Sequence, residues 1–235
     1  MNPKFEEIIN YNFEAETKEI FVGDEARRVH LSNPGKPLLS ISRITKVFTE
    51  HKYFKIPQLN LLANRIIGQL SHRLLDQTYK NGDIVRIPND PELIKEILGQ
   101  DAAKFSQLKP EKQEWALNAV NTIVNQVWRV FQEKGVIIKA TEKYICNTDF
   151  HGYIDILAYV NDEPAVIELK ISNIDETKYE TKLQLGLYQH LINLPEVKAY
   201  ELRFNLKAKK YYWSAIDTTD FKYIKHIYDH IEGRN

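Results

Sequence analysis

The chain has 235 residues, of which 43% are hydrophobic and 27% are charged, and this composition is typical of a globular protein with a core. Lys plus Arg and Asp plus Glu both number 32, so the net charge is zero and a polybasic protein is excluded. The single cysteine, Cys146, excludes a disulfide framework, a multi-cysteine zinc site and an iron–sulfur cluster held by one chain. At roughly 150 residues per domain, we expect a single domain over 1–235.

No segment approaches the roughly 18 consecutive apolar residues of a membrane-spanning helix, so we expect no membrane association. The N-terminal part contains Glu6, Glu7 and Glu14 and lacks an apolar stretch, which argues against a secretory signal and against a transit peptide. The absence of cysteine pairs fits a reducing compartment. We therefore expect a soluble, intracellular protein of the cytoplasm.

The first 135 residues are predicted to be mainly helical, apart from a weakly alternating hairpin around Gly23-Asp24. Helices are predicted over 40–50, 58–79 and 92–98, and from Pro110 to a stop at Gly135, with a loop at 33–37 and a connector at 81–90. In the second helix, apolar residues recur at helical spacing and form one stripe. His72 lies off that stripe, so a core position for this histidine is disfavoured.

After Gly135 the hydrophobic pattern changes to a period of two. Strands are predicted over 136–146, 152–160, 164–172, 197–206 and 211–216, a helix over 175–193, and a last helix from Thr218 or Thr219 to about Gly233. This order of elements predicts an α/β (α+β) fold, with a central mixed β-sheet flanked by helices.

The hairpin formed by the second and third predicted strands carries three charged residues on one face. Side chains alternate across a strand, so Glu168 and Lys170 share a face, while the apolar residues between them point to the core. Asp155 lies on the matching face of the preceding strand. A two-residue loop at Asn161-Asp162 places Asp155 opposite Glu168, and a loop one residue later places it opposite Lys170.

Two carboxylates this close repel each other on a half-buried sheet face, and a divalent cation between them removes that cost. Carboxylate oxygens are hard ligands that suit Mg²⁺ or Mn²⁺. A neighbouring lysine can orient or deprotonate a water molecule and stabilise developing negative charge. The pattern predicts a metal-dependent site for phosphodiester hydrolysis at Asp155, Glu168 and Lys170, with an ordinary solvated hairpin as the alternative.

The segment Gly-x-x-Asp that ends at Asp155 and the segment Glu-x-Lys that ends at Lys170 are separated by a turn, and this order resembles the signature of the PD-(D/E)XK nucleases. Three further segments resemble the RecB-like branch of that superfamily, namely Gly68-x-x-x-His72, Lys170-Ile-Ser172 and Gln184-x-x-x-Tyr188. The segment 40–45 resembles the opening helix of phage exonucleases and of the mitochondrial genome-maintenance exonuclease.

The resemblance implies a restriction-endonuclease-like core with a helical N-terminal segment. It implies that Asp155, Glu168 and Lys170 are catalytic, and the implied metal ligands are His72, Asp155, Glu168 and the main-chain carbonyl of Leu169. It also implies that Gln184 and Tyr188 contact the DNA backbone and support the lysine, since residues four apart share one helical face. Ser172 closes the catalytic strand.

Glu142 is predicted on the strand face that also carries Ile138 and Ala140, an unfavourable place for an unpaired carboxylate. The RecB-like branch often has an acid on this strand near the metal, so the resemblance implies a supporting role for Glu142.

The segment 203–213 combines basic residues with aromatic ones. Arg203 and three lysines precede Tyr211, Tyr212 and Trp213, a combination typical of surfaces that bind single-stranded DNA. The alternative is an edge hairpin that lysines protect from pairing with another strand.

The sequence therefore predicts a metal-dependent DNA nuclease, an exonuclease that hydrolyses DNA ends in replication, recombination or repair. Single-stranded DNA or duplex ends are the expected substrates, recombination or replication proteins the expected partners, and a phage or bacterium the expected source. Two alternatives are a catalytically silent DNA-binding or assembly subunit and a restriction-type endonuclease. The complete set of two acids and a lysine argues against the first, and the helical N-terminal part argues against the second.

Overall fold

The structure is a computed structural model that describes residues 3–14, 16–22, 25–31, 38–47, 58–82, 91–99, 102–147, 150–173 and 179–218. The loop predicted at 33–37, most of the connector at 81–90 and the last helix, predicted from Thr218 or Thr219 onward, lie outside the described residues.

The N-terminal part is mainly helical, as the sequence predicts. Its elements are α1 (Pro3–Asn10), β1 (Glu16–Val22), β2 (Glu25–Leu31), β3 (Leu39–Ser40), α2 (Ile41–Val47), α3 (Gln58–Asn81), α4 (Pro91–Leu98) and α5 (Ala102–Ser106). Strands β1 and β2 pair in antiparallel fashion, so the predicted hairpin is confirmed. Helix α1, strand β3 and helix α5 were not predicted, because elements of two to eight residues are too short to show a clear period.

The C-terminal part contains the main sheet. Its elements are α6 (Pro110–Glu133), β4 (Val136–Cys146), β5 (Phe150–Val160), β6 (Glu163–Ser172), α7 (Tyr179–Ile192), β7 (Lys198–Asn205) and β8 (Lys210–Ala215). Helix α6 begins at Pro110, where the missing N–H costs no helical hydrogen bond, and Gly135 follows it with a φ of 61°. These boundaries agree closely with the predicted ones.

The main sheet has six strands and is mixed. Strands β3, β5, β6, β7 and β8 lie side by side in this order, and β4 pairs with the other edge of β5. The pairs β3–β5 and β6–β7 are parallel, whereas β4–β5, β5–β6 and β7–β8 are antiparallel. The predicted fold class, a central mixed sheet flanked by helices, is confirmed.

A two-residue turn connects β5 to β6. Asn161 and Asp162 adopt φ values of 50° and 67°, a conformation that Asn and Asp tolerate better than most residues, and Val160 pairs with Glu163. This turn selects the first of the two registers considered above, in which residue 155 falls opposite residue 168. The regular ladder ends one step earlier, at Ile156 and Ile167.

Hydrophobic cores cover both faces of the sheet. Helices α3 to α6 cover one face, where Ile167 and Leu169 of β6 are buried, and helices α1, α2 and α7 cover the other, where Leu157 and Val166 are buried. The alternation of β6 is therefore confirmed, because its successive side chains enter different cores. Among the described residues, no helix combines the length and the apolar character needed to cross a bilayer.

Strand β4 departs from the simple alternation predicted for it. Its register against β5 shifts between Ile138 and Ala140, so Lys139 is an extra residue on the β4 side. Because of this bulge, Ile138 packs against the α3–α6 core, whereas Ala140 packs against the opposite core. The prediction that Ile138 shares a face with Ala140 and Glu142 is wrong, since the inserted residue reverses the side-chain direction between Ile138 and Ala140.

Candidate active site

The strands β5 and β6 separate at one end of their hairpin and leave a fork. Strand β4 occupies one edge of β5, so β3 and β6 share the other edge. Strand β6 pairs with β5 from Val160 only as far as Ile156. Strand β3 pairs with β5 only at Phe150 and His151. Among the described strands, none pairs with the segment 152–155 on this edge. Asp155 and Glu168 lie where the two strands part.

The carboxylate of Asp155 reaches across the fork to the backbone of β6. Its Oδ2 atom accepts a hydrogen bond from the Leu169 N–H at 2.8 Å, and only 11% of the side chain is exposed. Burial and the neighbouring charge of Glu168 raise the pKa of Asp155 to about 7, although His72 and Lys170 partly offset them. The site therefore holds a carboxylate that cationic partners must stabilise.

Glu168 and Lys170 form a hydrogen-bonded chain with helix α7. Lys170 Nζ donates to Glu168 Oε1 at 2.5 Å and to Gln184 Oε1 at 3.1 Å. Gln184 Nε2 donates to the Tyr188 hydroxyl at 3.1 Å, and that hydroxyl donates to the Tyr153 carbonyl at 2.5 Å. The two polar residues of the Gln-x-x-x-Tyr segment therefore link the lysine to the backbone of β5 across the fork.

The neighbouring carboxylates stabilise the positive charge of Lys170. Burial alone would lower the pKa of its ammonium group, but the carboxylates of Glu168 and Asp155 outweigh that effect and raise the pKa. The second oxygen of Glu168, Oε2, is buried and has no hydrogen-bond partner among the described residues. The Oε2 atom of Glu168 thus remains available to a cation.

The glycine of the Gly-x-x-Asp segment has a steric function that sequence reasoning missed. A Cβ atom at Gly152 would lie 2.8 Å from Tyr188 Cε1 and 3.2 Å from Ile41 Cδ1. The backbone of β5 therefore approaches the Tyr188 ring more closely than any side chain would permit. This close approach accompanies the hydrogen bond from Tyr188 to the Tyr153 carbonyl.

We expect Gly152→Ala to lower both stability and activity. The added methyl group must displace the Tyr188 ring, which costs about 1–3 kcal/mol and weakens the support of Lys170 by Gln184. Urea unfolding and DNA cleavage measure the two effects. Gly68→Ala is the matched control for stability, because a Cβ there meets nothing within 4 Å and helical alanine is favoured over glycine. Equal stability of the two variants would contradict the steric role.

His72 enters the fork from helix α3. Its Nδ1 atom lies 3.1 Å from Glu142 Oε1 and 3.4 Å from Asp155 Oδ1, and its Nε2 lies 3.2 Å from the Leu169 carbonyl oxygen. Burial disfavours the charged ring, but the carboxylates of Asp155, Glu142 and Glu168 outweigh burial and raise the pKa of His72 to about 9. Both ring nitrogens face acceptors, so the imidazolium form fits this arrangement.

Glu142 joins the site through an irregular backbone. It lies between residues of β4 that pair with Ile156 and Ile154, so the register places it opposite Asp155, and its φ is 47°. Such a φ is uncommon for a residue other than glycine, and it is found at functional sites more often than elsewhere. No sequence signal indicated this backbone conformation.

His72, Glu142 and Asp155 could together hold a metal ion. Each offers one ligand atom, and the three atoms lie within 4.8 Å of one another. One imidazole nitrogen and carboxylate oxygens form a donor set that suits Mn²⁺ and, through its oxygens, Mg²⁺. The unpartnered Oε2 of Glu168 adds a further oxygen at the same fork. The residues present therefore fit a divalent cation.

Metal affinity should rise with pH between about 6 and 9. Asp155 must be deprotonated to bind a cation, and His72 must lose a proton to offer a ring nitrogen, so protons compete below their raised pKa values of about 7 and about 9. Calorimetric titration with MnCl₂ in two buffers of different ionisation enthalpy should show proton release at neutral pH. The same titration should give an affinity that falls as the pH is lowered.

His72→Ala should weaken Mn²⁺ binding about 10-fold or more in this titration. His190→Ala is the control, since His190 lies on α7 and packs edge-on against Phe150, with ring centroids 6.3 Å apart. His72 would not be a metal ligand if His72→Ala bound Mn²⁺ like the parent and released as many protons.

Two members of the basic and aromatic segment at 203–213, Arg203 and Trp213, are engaged in the interior, whereas its three lysines are exposed. Arg203 is 2% exposed and forms a buried ion pair with Glu201, and it donates to Ser172 Oγ at 3.0 Å. Trp213 stacks on Tyr200, with ring centroids 4.9 Å apart, and packs against the α3–α6 core. The arginine and the indole are thus structural, which departs from the single-strand interpretation.

The mixed sheet forks and brings two acids and a lysine to one edge, beside groups able to hold a cation. This arrangement defines a nuclease-type site. A family model described as the PD-(D/E)XK nuclease superfamily matches residues 48–231, and the chain belongs to this superfamily. Membership implies a metal-dependent nuclease with DNA as its substrate. Such nucleases generally use divalent metals such as Mg²⁺.

Similar solved structures include the crystal structure of SSO0001. It is 14% identical in sequence, with a TM-score of 0.32, and the match covers 83% of this chain and 84% of that one. No curated protein matches the chain.

Proposed function

We propose that the chain is a Mg²⁺- or Mn²⁺-dependent deoxyribonuclease of the RecB-like branch that acts as an exonuclease on DNA ends. The observation that carries the proposal is the convergence of Asp155, Glu168 and Lys170 at the fork. His72 faces them from α3, and hydrogen bonds join these groups to each other and to α7.

In this proposal the ion is held by His72, Asp155, Glu168 and the Leu169 carbonyl, with Glu142 near the same position. The clustering of donor atoms within 4.8 Å and the unpartnered Glu168 oxygen support it. When bound, the divalent ion supplies positive charge that stabilises the negative charge developing on the phosphoryl oxygens. The carboxylates give the site the charge that attracts the ion.

Lys170 is proposed to position the attacking water. An ammonium group has three N–H donors, and Glu168 and Gln184 accept two of them. The third donor can bond to the water or to a phosphate oxygen on the side of attack. The neighbouring carboxylates keep Lys170 protonated, so in this proposal it acts through hydrogen bonding and charge.

Gln184, Tyr188 and Ser172 have supporting roles in the proposal. Gln184 and Tyr188 fix the direction of the Lys170 side chain through the chain of hydrogen bonds to the Tyr153 carbonyl. Ser172 accepts a hydrogen bond from Arg203, which ties the end of β6 to β7. The side chains of Gln184 and Tyr188 are buried, so in the proposal they act through Lys170.

Two arguments favour attack from DNA ends over internal cleavage. The sequence motifs resemble those of phage and mitochondrial exonucleases, which act in replication, recombination or repair. The net charge of zero fits an enclosed basic track better than an open surface that grips duplex DNA, since an open surface is usually broadly positive.

Linear and covalently closed single-stranded DNA of matched sequence test this proposal. With Mg²⁺, linear DNA labelled at either end should be degraded progressively from one terminus, and circles should be spared. An excess of chelator should abolish degradation. Comparable rates on circles would contradict the exonuclease proposal but would remain consistent with a metal-dependent nuclease that cuts internally. Binding without cleavage in either metal would instead favour a silent DNA-binding subunit.

A further inference from the structure

A groove near the end of β6 is lined by two lysines and an exposed tryptophan. The cavity has a volume of about 370 Å³ and lies between the first two turns of α3 and of α6 and the turn that joins β7 to β8. Trp115 is 46% exposed, and Lys112 lies one turn before it on α6, while Lys207 faces the groove from the β7–β8 turn. None of the described side chains that line this groove is acidic.

The larger cavity beside the active site has a different charge pattern. Its volume is about 880 Å³, and its lining includes the carboxylates of Asp76, Glu96 and Glu142. Of its two exposed cations, Lys80 is already paired with Asp76 at 2.7 Å, which leaves Arg73. Among the described residues, no lining acid opposes the lysine charges of the smaller groove, so a phosphodiester backbone is attracted more strongly there.

The groove and the active site lie along the same two elements. Asn173 of the groove is three residues beyond Lys170, a distance of about 10 Å along an extended chain. Asn64, Gly68 and His72 follow each other at intervals of four on α3, so one helical face runs from the groove to the site over about 12 Å. The absence of a side chain at Gly68 leaves open space on this face.

We propose that this groove binds a single-stranded segment of the DNA substrate next to the scissile bond. One unpaired base stacks on the Trp115 indole, and the ammonium groups of Lys112 and Lys207 contact phosphates. A base inside a duplex has both faces covered by its neighbours, so stacking on an indole requires an unpaired strand. The inference rests on the proposed nuclease function and adds a substrate contact outside the catalytic fork.

Binding without chelatable metal tests the groove separately from catalysis. The affinity for fluorescein-labelled oligodeoxythymidylate, measured by anisotropy in EDTA, should fall about 10-fold or more in Trp115→Ala. Lys112→Ala/Lys207→Ala should also weaken binding and should flatten its salt dependence. Lys134→Ala is the matched control, since Lys134 is an exposed lysine at the opposite end of α6. Trp115→Phe keeps a ring and should retain most of the affinity.

A small phosphodiester distinguishes this inference from the proposed function. Bis(p-nitrophenyl) phosphate is too short to span the distance from the fork to the groove, so Trp115→Ala should hydrolyse it like the parent while losing oligonucleotide affinity. A parent that binds DNA through Trp115 but hydrolyses nothing would overturn the nuclease proposal alone. Unchanged oligonucleotide affinity in both groove variants, or equal competition by blunt duplex DNA, would overturn the groove assignment alone.

Discussion

Asp155→Asn and Glu168→Gln should each lower DNA cleavage by about 10²- to 10⁴-fold and keep the parent fold. The amide oxygen of asparagine can still accept the Leu169 N–H, and that of glutamine can still accept from Lys170, so the local hydrogen bonds survive. What these variants lose is the negative charge that attracts a divalent cation. Activity should therefore fall far more than stability.

Lys170→Ala should lose cleavage to a similar extent for a different reason. It removes the donor that would orient the water, and it leaves Glu168, whose side chain is 3% exposed, without its cationic partner. Some loss of stability should accompany the loss of activity, so a melting curve is part of the measurement. Lys170→Ala should still bind Mn²⁺ in calorimetry.

Asp162→Asn is the control for the two acid variants. It makes the same acid-to-amide change in the same hairpin, at a turn position with a φ of 67° that asparagine tolerates. It should cleave DNA at the parent rate. Parental activity in Asp155→Asn or Lys170→Ala, or full activity in excess EDTA, would contradict metal-dependent chemistry at the fork.

The arrangement of the hairpin could be predicted from the sequence because it depends on local rules. A period of two fixes which side chains of β6 share a face, and Asn161-Asp162 supplies residues that tolerate positive φ, so a two-residue turn follows. Together these rules place residue 155 opposite residue 168 or residue 170, and the observed turn selects residue 168. The helical spacing of Gln184 and Tyr188 is local in the same way, and the two side chains hydrogen-bond to each other.

Features that depend on distant contacts or on irregular backbone could not be predicted in this way. The bulge at Lys139 and the positive φ of Glu142 interrupt a strand whose sequence alternates without a glycine or proline to mark them. The requirement for glycine at position 152 comes from Tyr188, 36 residues later in the chain. The burial of Arg203 depends on parallel pairing with β6, which no local pattern specifies.

The burial of Arg203 leads to the second large effect that we expect. Parallel pairing places Glu201 beside Glu168 and Arg203 beside Lys170, and both side chains of the Glu201–Arg203 pair are at most 2% exposed. Removing one partner leaves a buried charge without compensation, which costs about 3–5 kcal/mol. Glu201→Leu and Arg203→Met should each lower the midpoint of urea unfolding strongly.

The double variant Glu201→Leu/Arg203→Met should recover much of this loss, because two apolar side chains replace two charges and neither charge is left unpaired. The control is an exposed ion pair between β6 and β7. Lys198 Nζ lies 3.9 Å from Glu163 Oε1, with both side chains more than half exposed, so Lys198→Ala should cost less than about 1 kcal/mol.

The same variants decide between the two interpretations of Arg203. If this arginine contacts DNA, as its basic and aromatic surroundings in the sequence suggest, Arg203→Met should weaken oligonucleotide binding at nearly parental stability. Since its guanidinium group bonds to Glu201 and Ser172 in the interior, we expect the reverse. Stability should fall, and DNA affinity measured below the unfolding transition should stay close to that of the parent. Parental stability with weakened binding would show that Arg203 is exposed to DNA in solution.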